Sequence, residues 1–201
     1  MDIFLNEVFG IKAIYHMTHI DNLDTILKHG LLAHDNHYQK KDISDCDVNR
    51  RRARKEPIYN KPIHSYVPFY FNPKNNMLLR RKNISDDIVI LRFSNELLFK
   101  ENVLFTDANA STDRANFYKN IEDLKYLNWD CIFTTGLYND FEDGGNKRMA
   151  EVLIPSKVEI DNLEAIITRN NETKEKVLKI LEYNKISDIK VLVDGDKKFF
   201  F

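Results

Sequence analysis

The sequence predicts a mixed α+β domain, and three observations carry that prediction. Short runs of β-branched and aromatic residues alternate with short amphipathic stretches along the chain. Gly, Pro, Asn and Asp punctuate them, and no Pro-, Gly- or Ser-rich linker divides the 201 residues, so a single domain over 1–201 is expected. Hydrophobic residues make up 43% of the chain, which supplies a sizeable core, yet no apolar run approaches the roughly 20 residues that span a bilayer.

Residues 13–18 (Ala-Ile-Tyr-His-Met-Thr) read as a first strand. Asp21 is placed to cap a helix with Leu23, Ile26 and Leu27 on one side, and Gly30 supplies the left-handed stop. A polar loop over 33–45 leads to a basic helix over 47–55, with its acid first and its bases last, as the helix dipole favours. Residues 65–72 (Ser-Tyr-Val-Pro-Phe-Tyr-Phe-Asn) favour strand, but Pro68 within them points to an edge or an irregular strand. After the Asn72-Pro73 turn come a helical turn over 76–81, an apolar strand over 88–93, a short helix over 95–100 and a strand over 103–105. An amphipathic helix is expected over 113–127 and a short strand over 131–133. Val152, Leu153 and Ile154, bounded by Pro155, form a buried strand that Glu151 opens. Two further strands, over 165–168 and 189–193, flank a helix over 172–183.

The net charge of −1 hides a segregation of sign. Residues 40–82 carry twelve basic and four acidic side chains, whereas residues 83–155 sum to −6. A basic segment in a neutral protein suggests a polyanionic partner at one face, although a solvated helix face gives the same count. Cys46 and Cys131 have no C-x-x-C spacing, which argues against a disulfide framework and against a zinc site. The start of the chain lacks a secretory signal, so a cytoplasmic protein with no membrane segment is expected.

Three groups of residues can carry chemistry. Glu151 stands at the mouth of a strand behind the polar loop 139–146, whose Gly144-Gly145 pair gives it freedom to fold over a ligand; a solvated acid is the bland alternative. His16 and Thr18 share one face of the first strand, and Asn22 comes next at the helix start; they can be core hydrogen-bonding groups or contacts to a ligand. Arg50, Arg51, Arg52 and Arg54 cannot all be core. Beside Tyr66, Phe69, Tyr70 and Phe71 they combine cations with flat rings, a combination suited to single-stranded nucleic acid, and Arg80 to Lys82 could extend a phosphate track. No Ser-His-Asp order, Gly-rich phosphate loop or His-Glu-x-x-His helix is present.

Taken in order, Tyr15-His16-Met17-Thr18-His19, Asn22-Leu23, His29-Gly30-Leu31, Arg51-Arg52-Ala53, Tyr66 to Pro73 with Asn76-Met77-Leu78, and Lys147 to Leu153 resemble the DarT family of DNA ADP-ribosyltransferase toxins. The resemblance runs from about residue 13 to 170. It implies the ADP-ribosyltransferase fold, a split pair of small β-sheets flanked by short helices around an NAD cleft. It also implies transfer of ADP-ribose from NAD to a base, thymine in the best-known branch, in single-stranded DNA. The partners it implies are single-stranded DNA, NAD as co-substrate and a macrodomain antitoxin of the DarG type, with no metal. By the same resemblance Glu151 is the catalytic carboxylate and Arg51 the catalytic arginine, with a register open among Arg50, Arg51 and Arg52. His16, Thr18, Asn22 and Arg51 would hold NAD. Arg52, Arg54, Tyr70, Arg80, Lys147 and Arg148 would touch DNA, and Glu151→Ala would abolish transfer while leaving the fold intact. Guanine or RNA as acceptor, and a non-catalytic nucleic-acid-binding module, are the alternatives.

Overall fold

The computed structural model describes residues 2–34 and 36–201, leaving aside the side chains of residues 2–4. The strands are β1 (Ile14–His19), β2 (Leu31–Leu32), β3 (Tyr66–Tyr70), β4 (Ile88–Phe93), β5 (Leu104–Thr106), β6 (Phe117–Tyr118), β7 (Glu151–Pro155), β8 (Lys157–Val158), β9 (Leu163–Thr168) and β10 (Lys190–Val193). The α-helices are α1 (Asp2–Phe9), α2 (Leu23–His29), α3 (Cys46–Arg52), α4 (Asn76–Arg80), α5 (Trp129–Phe133), α6 (Gly144–Lys147) and α7 (Asn171–Tyr183). Eight strands form the main sheet in the order β10-β9-β4-β1-β3-β7-β5-β6, and β2 pairs β8 in a small second sheet.

The main sheet divides at the β1–β3 joint. β1 runs against β4 over six residue pairs and β3 against β7 over five, but β1 meets β3 at the single pair Tyr15↔Tyr70. This joint explains how Pro68 sits inside the sheet rather than at an edge. A residue's N and C=O point to the same side of a strand, and the Pro68 carbonyl accepts a hydrogen bond from His16 Nδ1 at 2.8 Å. The donor that proline lacks therefore faces the parted side of the sheet, where no ladder bond is lost. The site opens beside this joint.

Tight packing fixes both halves. Ile14, Val67, Phe69, Phe93, Val152 and Ile166 are buried together in the largest core cluster, and α7 adds Val177 and Leu181 one helical turn apart. A second cluster on the opposite face gathers Met17, Leu78, Ile88, Ile90, Ile167 and Phe200. Gly30 has φ +80°, and a Cβ there would meet the Val158 carbonyl at 2.9 Å, so glycine is what lets α2 end against β8.

Two expected elements differ. Residues 113–127 form no long helix. They make a loop, β6 and a 3-10 helix (Ile121–Tyr126), because the two-residue β6 pairs with β5 and the Asn120 and Asp123 side chains cap the 3-10 helix. The expected strand over 131–133 is instead α5, started by the Asn128 side chain accepting from the Cys131 N–H at 2.9 Å. Among the described residues no helix is long and apolar enough to cross a membrane, and no cluster of three or more His, Cys, Asp or Glu is placed to hold a metal ion.

Candidate active site

A cleft of about 440 Å³ opens at the β1–β3 joint, between α3, β1, the 36–45 segment and the 109–113 loop. Arg52 lines this cleft and pairs with Glu151 behind it. Glu151 is fully buried, and Arg52 Nη1 donates to both of its carboxylate oxygens, at 2.8 and 3.1 Å. The Ala110 N–H donates to Oε1 at 2.9 Å, and the Glu151 N–H itself donates to Thr106 Oγ1 at 3.1 Å. The carboxylate is thus held from two sides by groups far apart in sequence. Desolvation makes such a pair costly to break, roughly 3–5 kcal/mol when one partner is removed. Arg52 Nη2 is buried with no hydrogen-bond partner among the described residues, a donor left over on a residue that lines the cleft.

Helix geometry selects Arg52 from the arginine run. Asp45 caps α3 by accepting from the N–H groups of Asp47 and Val48. That start places Val48 and Arg52, four residues apart, on the inward face, while Arg50 and Arg51 are exposed. Arg51 lies at the cleft rim but does not reach Glu151; Arg52 does. Tyr70 faces Glu151 across the β3–β7 ladder, and burial together with the Glu151 charge pushes its hydroxyl pKa up. It stays a neutral phenol beside the ion pair.

His16 lines the cleft from β1. A carbonyl can only accept, so its bond to Pro68 O places the proton on Nδ1 and leaves Nε2 as an acceptor. Burial lowers the His16 pKa to about 4. The folded state therefore disfavours the second proton, so the stabilisation is present above the ordinary His value of about 6.5 and is lost as pH falls from there towards 4. Melting temperatures of wild type and His16→Asn are expected to differ most above pH 6.5 and to converge towards pH 4. A difference that stays constant across that range would contradict a neutral His16 that donates to the Pro68 carbonyl.

Thr18 is buried and accepts from Asn22 Nδ2 at 3.0 Å. Asn22 also donates to the Lys41 carbonyl, and its Oδ1 accepts from the N–H groups of Lys40 and Lys41 at 2.8 and 2.9 Å. All of its hydrogen-bonding capacity is used. Asn22 therefore builds the wall, by stapling the polar 36–45 segment to β1 and α2, rather than offering a free group to a ligand.

Comparison with known proteins decides the family. A family profile described as "ssDNA thymidine ADP-ribosyltransferase, DarT" matches residues 15–201. The chain belongs to the DarT family. A curated DNA ADP-ribosyl transferase of Thermus sp. (strain 2.9) is 32% identical over 183 residues, covering 84% of this chain and 87% of that protein. A solved structure, Thermus sp. 2.9 DarT in complex with ADP-ribosylated ssDNA, superposes with a TM-score of 0.85 at 28% identity over 96% of this chain and 97% of that one. The NAD+ complex of the same DarT superposes with a TM-score of 0.81 over 95% of this chain and 98% of that one. A Thermosipho africanus DNA ADP-ribosyl transferase–DNA ADP-ribosyl glycohydrolase fusion protein is 25% identical over 197 residues, covering 94% of this chain and 50% of the fusion. The resemblance drawn from the motifs and the expected fold are both borne out.

In this DarT-family chain the basic residues have separate environments. Arg51 and Arg80 are exposed at the rim, where phosphates can reach them. Arg148, expected at the DNA, is buried: its guanidinium donates to the carbonyls of Lys74, Cys131, Ile132 and Thr134. Its Nε and Nη1 are spent on four backbone acceptors, which ties α5 and α6 to the 72–75 turn and fixes the guanidinium away from the cleft lining. Lys147 is half-buried beside it, outside the cleft lining. Arg54, also expected at the DNA, instead binds the 110–113 loop.

The loop before Glu151 is more ordered than its glycines suggest. Tyr138 OH bonds Asn76 Oδ1 at 2.5 Å, and Asn76 Nδ2 donates to the Gly145 carbonyl at 3.2 Å. A Cβ on Gly144 would lie 1.7 Å from the Tyr138 carbonyl oxygen, so that glycine answers a close backbone approach rather than a need for freedom. Sequence reasoning missed the 106–113 loop entirely, because it assigned Asp113 onward to a helix. The run of small and polar residues Asp107 to Asp113 was the available signal.

Proposed function

We infer that this DarT-family chain, acting as one ADP-ribosyltransferase domain over 1–201, transfers ADP-ribose from NAD to thymine in single-stranded DNA and releases nicotinamide. The observation that carries the residue assignment is the buried Glu151–Arg52 pair, in which Arg52 lines the cleft and covers the carboxylate. NAD supplies an activated glycosidic bond: as it breaks, its electron pair leaves with nicotinamide and positive charge develops at the ribose carbon. A fixed carboxylate stabilises that charge and accepts from a ribose hydroxyl, and Glu151 is the fully buried carboxylate at this position. Bringing a ribose to it requires Arg52 to yield part of its hold, since Arg52 covers both oxygens.

Arg52 takes the part that the motif resemblance implies for Arg51. A base nitrogen that attacks the ribose carbon gives up its proton to water, and its developing anion needs a cation beside it. The unpartnered Nη2 of Arg52 is available for that, and as a guanidinium it acts by its charge rather than by removing the proton itself. His16 and Thr18 hold the NAD side of the cleft, and Tyr70 supplies a neutral hydroxyl near the carboxylate. Arg51 and Arg80 track phosphates, while unpaired bases in a single strand spare the cost of extraction from a duplex. A cytoplasmic toxin with a separate macrodomain antitoxin of the DarG type fits the fusion of transferase and glycohydrolase in Thermosipho africanus.

Nicotinamide release tests the acceptor. With NAD and purified protein, release is expected to depend on thymine-containing single strands and to stay at background with thymine-free DNA or RNA. Release driven only by guanine-containing strands or by RNA would move the acceptor assignment and leave the site intact.

A further inference from the structure

We propose that Arg54 is a positioning residue for transfer, holding the 106–113 loop so that the Ala110 N–H keeps Glu151 in its working orientation. The proposal rests on Glu151 being the transferase carboxylate. Arg54 Nη2 donates to the carbonyls of Ala110 and Thr112, at 3.0 and 2.5 Å, and Nη1 pairs with Asp113. Ala110 is fully buried, and its N–H is the donor to Glu151 Oε1 at 2.9 Å. One residue is therefore gripped at its carbonyl by Arg54 while presenting its N–H to the carboxylate.

The base from which Arg54 reaches is rigid. The buried Glu56 accepts from the N–H groups of Ile58, Tyr59 and Lys61 and from the Tyr66 hydroxyl, which locks the 56–61 turn. The Ile63 N–H donates to the Arg54 carbonyl at 3.0 Å. The segment 52–54 thus holds Glu151 twice, directly through Arg52 and indirectly through Arg54 and Ala110. Asp113 is almost fully exposed, so its ion pair with Arg54 contributes little; the two carbonyl bonds do the holding. The guanidinium fork puts Nη2 on the two carbonyls and Nη1 on the carboxylate, two positions that the single nitrogen of a lysine cannot both occupy. Losing the grip frees the peptide that fixes one carboxylate oxygen, and misplacement on the order of 1 Å can cost about a hundredfold in rate.

The test compares wild type, Arg54→Lys and Arg54→Ala for nicotinamide release on a thymine-containing single strand, with KM for NAD and DNA, the salt dependence of DNA binding and thermal melting. For Arg54→Ala, kcat is expected to fall roughly ten- to a hundredfold, with both KM values within about threefold and the salt slope unchanged; Arg54→Lys should recover only part of the loss. A normal kcat with raised DNA KM and a salt slope reduced by about one would make Arg54 a phosphate contact and overturn the proposal. A loss of kcat no larger than the unfolded fraction measured at the assay temperature would overturn it as well. If wild type releases nicotinamide only with another acceptor, the thymine reading fails, and the same Arg54 comparison is made on that acceptor with the same deciding outcomes.

Discussion

Arg52→Lys is expected to lower transfer at least about a hundredfold, a transition-state loss of about 2.7 kcal/mol, whereas Arg51→Ala should leave kcat within about threefold and weaken DNA binding. The two arginines are neighbours in sequence and opposite in environment. Arg52 is buried, with Nη1 donating to both oxygens of Glu151, while Arg51 is exposed at the rim. Lysine keeps a positive charge near the carboxylate but offers no second nitrogen in the place of Nη2. Arg52→Ala removes the charge altogether and leaves a buried carboxylate unpaired, so a stability loss of roughly 3–5 kcal/mol should accompany the loss of activity. Steady-state kinetics with DNA titration and thermal melting check all three variants. Arg51→Ala matching the loss of Arg52→Lys would return the catalytic assignment to Arg51.

Glu151→Gln is expected to abolish transfer, by roughly a thousandfold or more, while the protein still melts cooperatively and is still stabilised by NAD. Glutamine is nearly isosteric: with its amide oxygen in the Oε1 place it still accepts from the Ala110 N–H and from Arg52 Nη1, while its NH2 in the Oε2 place loses the shorter Arg52 bond. The charge that would stabilise the ribose cation is gone. Glu151→Ala is a poorer test than the sequence suggests. It leaves the Arg52 guanidinium buried without its carboxylate and the Ala110 N–H without an acceptor. Destabilisation of roughly 3–5 kcal/mol should result, which in a domain of this size lowers the melting temperature by about 10 °C. Melting and kinetics on both variants separate loss of chemistry from loss of fold, and wild-type transfer by Glu151→Gln would remove the carboxylate from the mechanism.

Much of this arrangement is legible in the chain. The strand run of Val152 to Ile154 behind Glu151 needs only a local pattern, and so do the strand bearing His16 and Thr18, the glycine stop at Gly30 and the helix beginning near residue 172. Even the arginine register has a local clue, since Val48 is the apolar residue of α3 and Arg52 lies one turn beyond it. What a local pattern cannot show is where a side chain spends its donors. Arg54, Arg148 and Asn22 look like ligand-facing groups by type, and each is committed to backbone groups distant in sequence: Ala110, Thr112, Lys74, Ile132 and Lys41 among them. Pro68 shows the same limit at the level of topology. Its lack of a donor points to an edge, and the sheet instead parts beside it so that the His16 ring meets its carbonyl.

Mass spectrometry of short single strands, identical except for the presence or absence of thymine, after incubation with the protein and NAD, tests the central claim most directly. An added ADP-ribose confined to thymine-containing strands, fragmenting to a modified thymine and absent with Glu151→Gln, is the predicted result. Unmodified thymine strands under conditions where the protein binds NAD, or modification that persists in Glu151→Gln, would contradict the account.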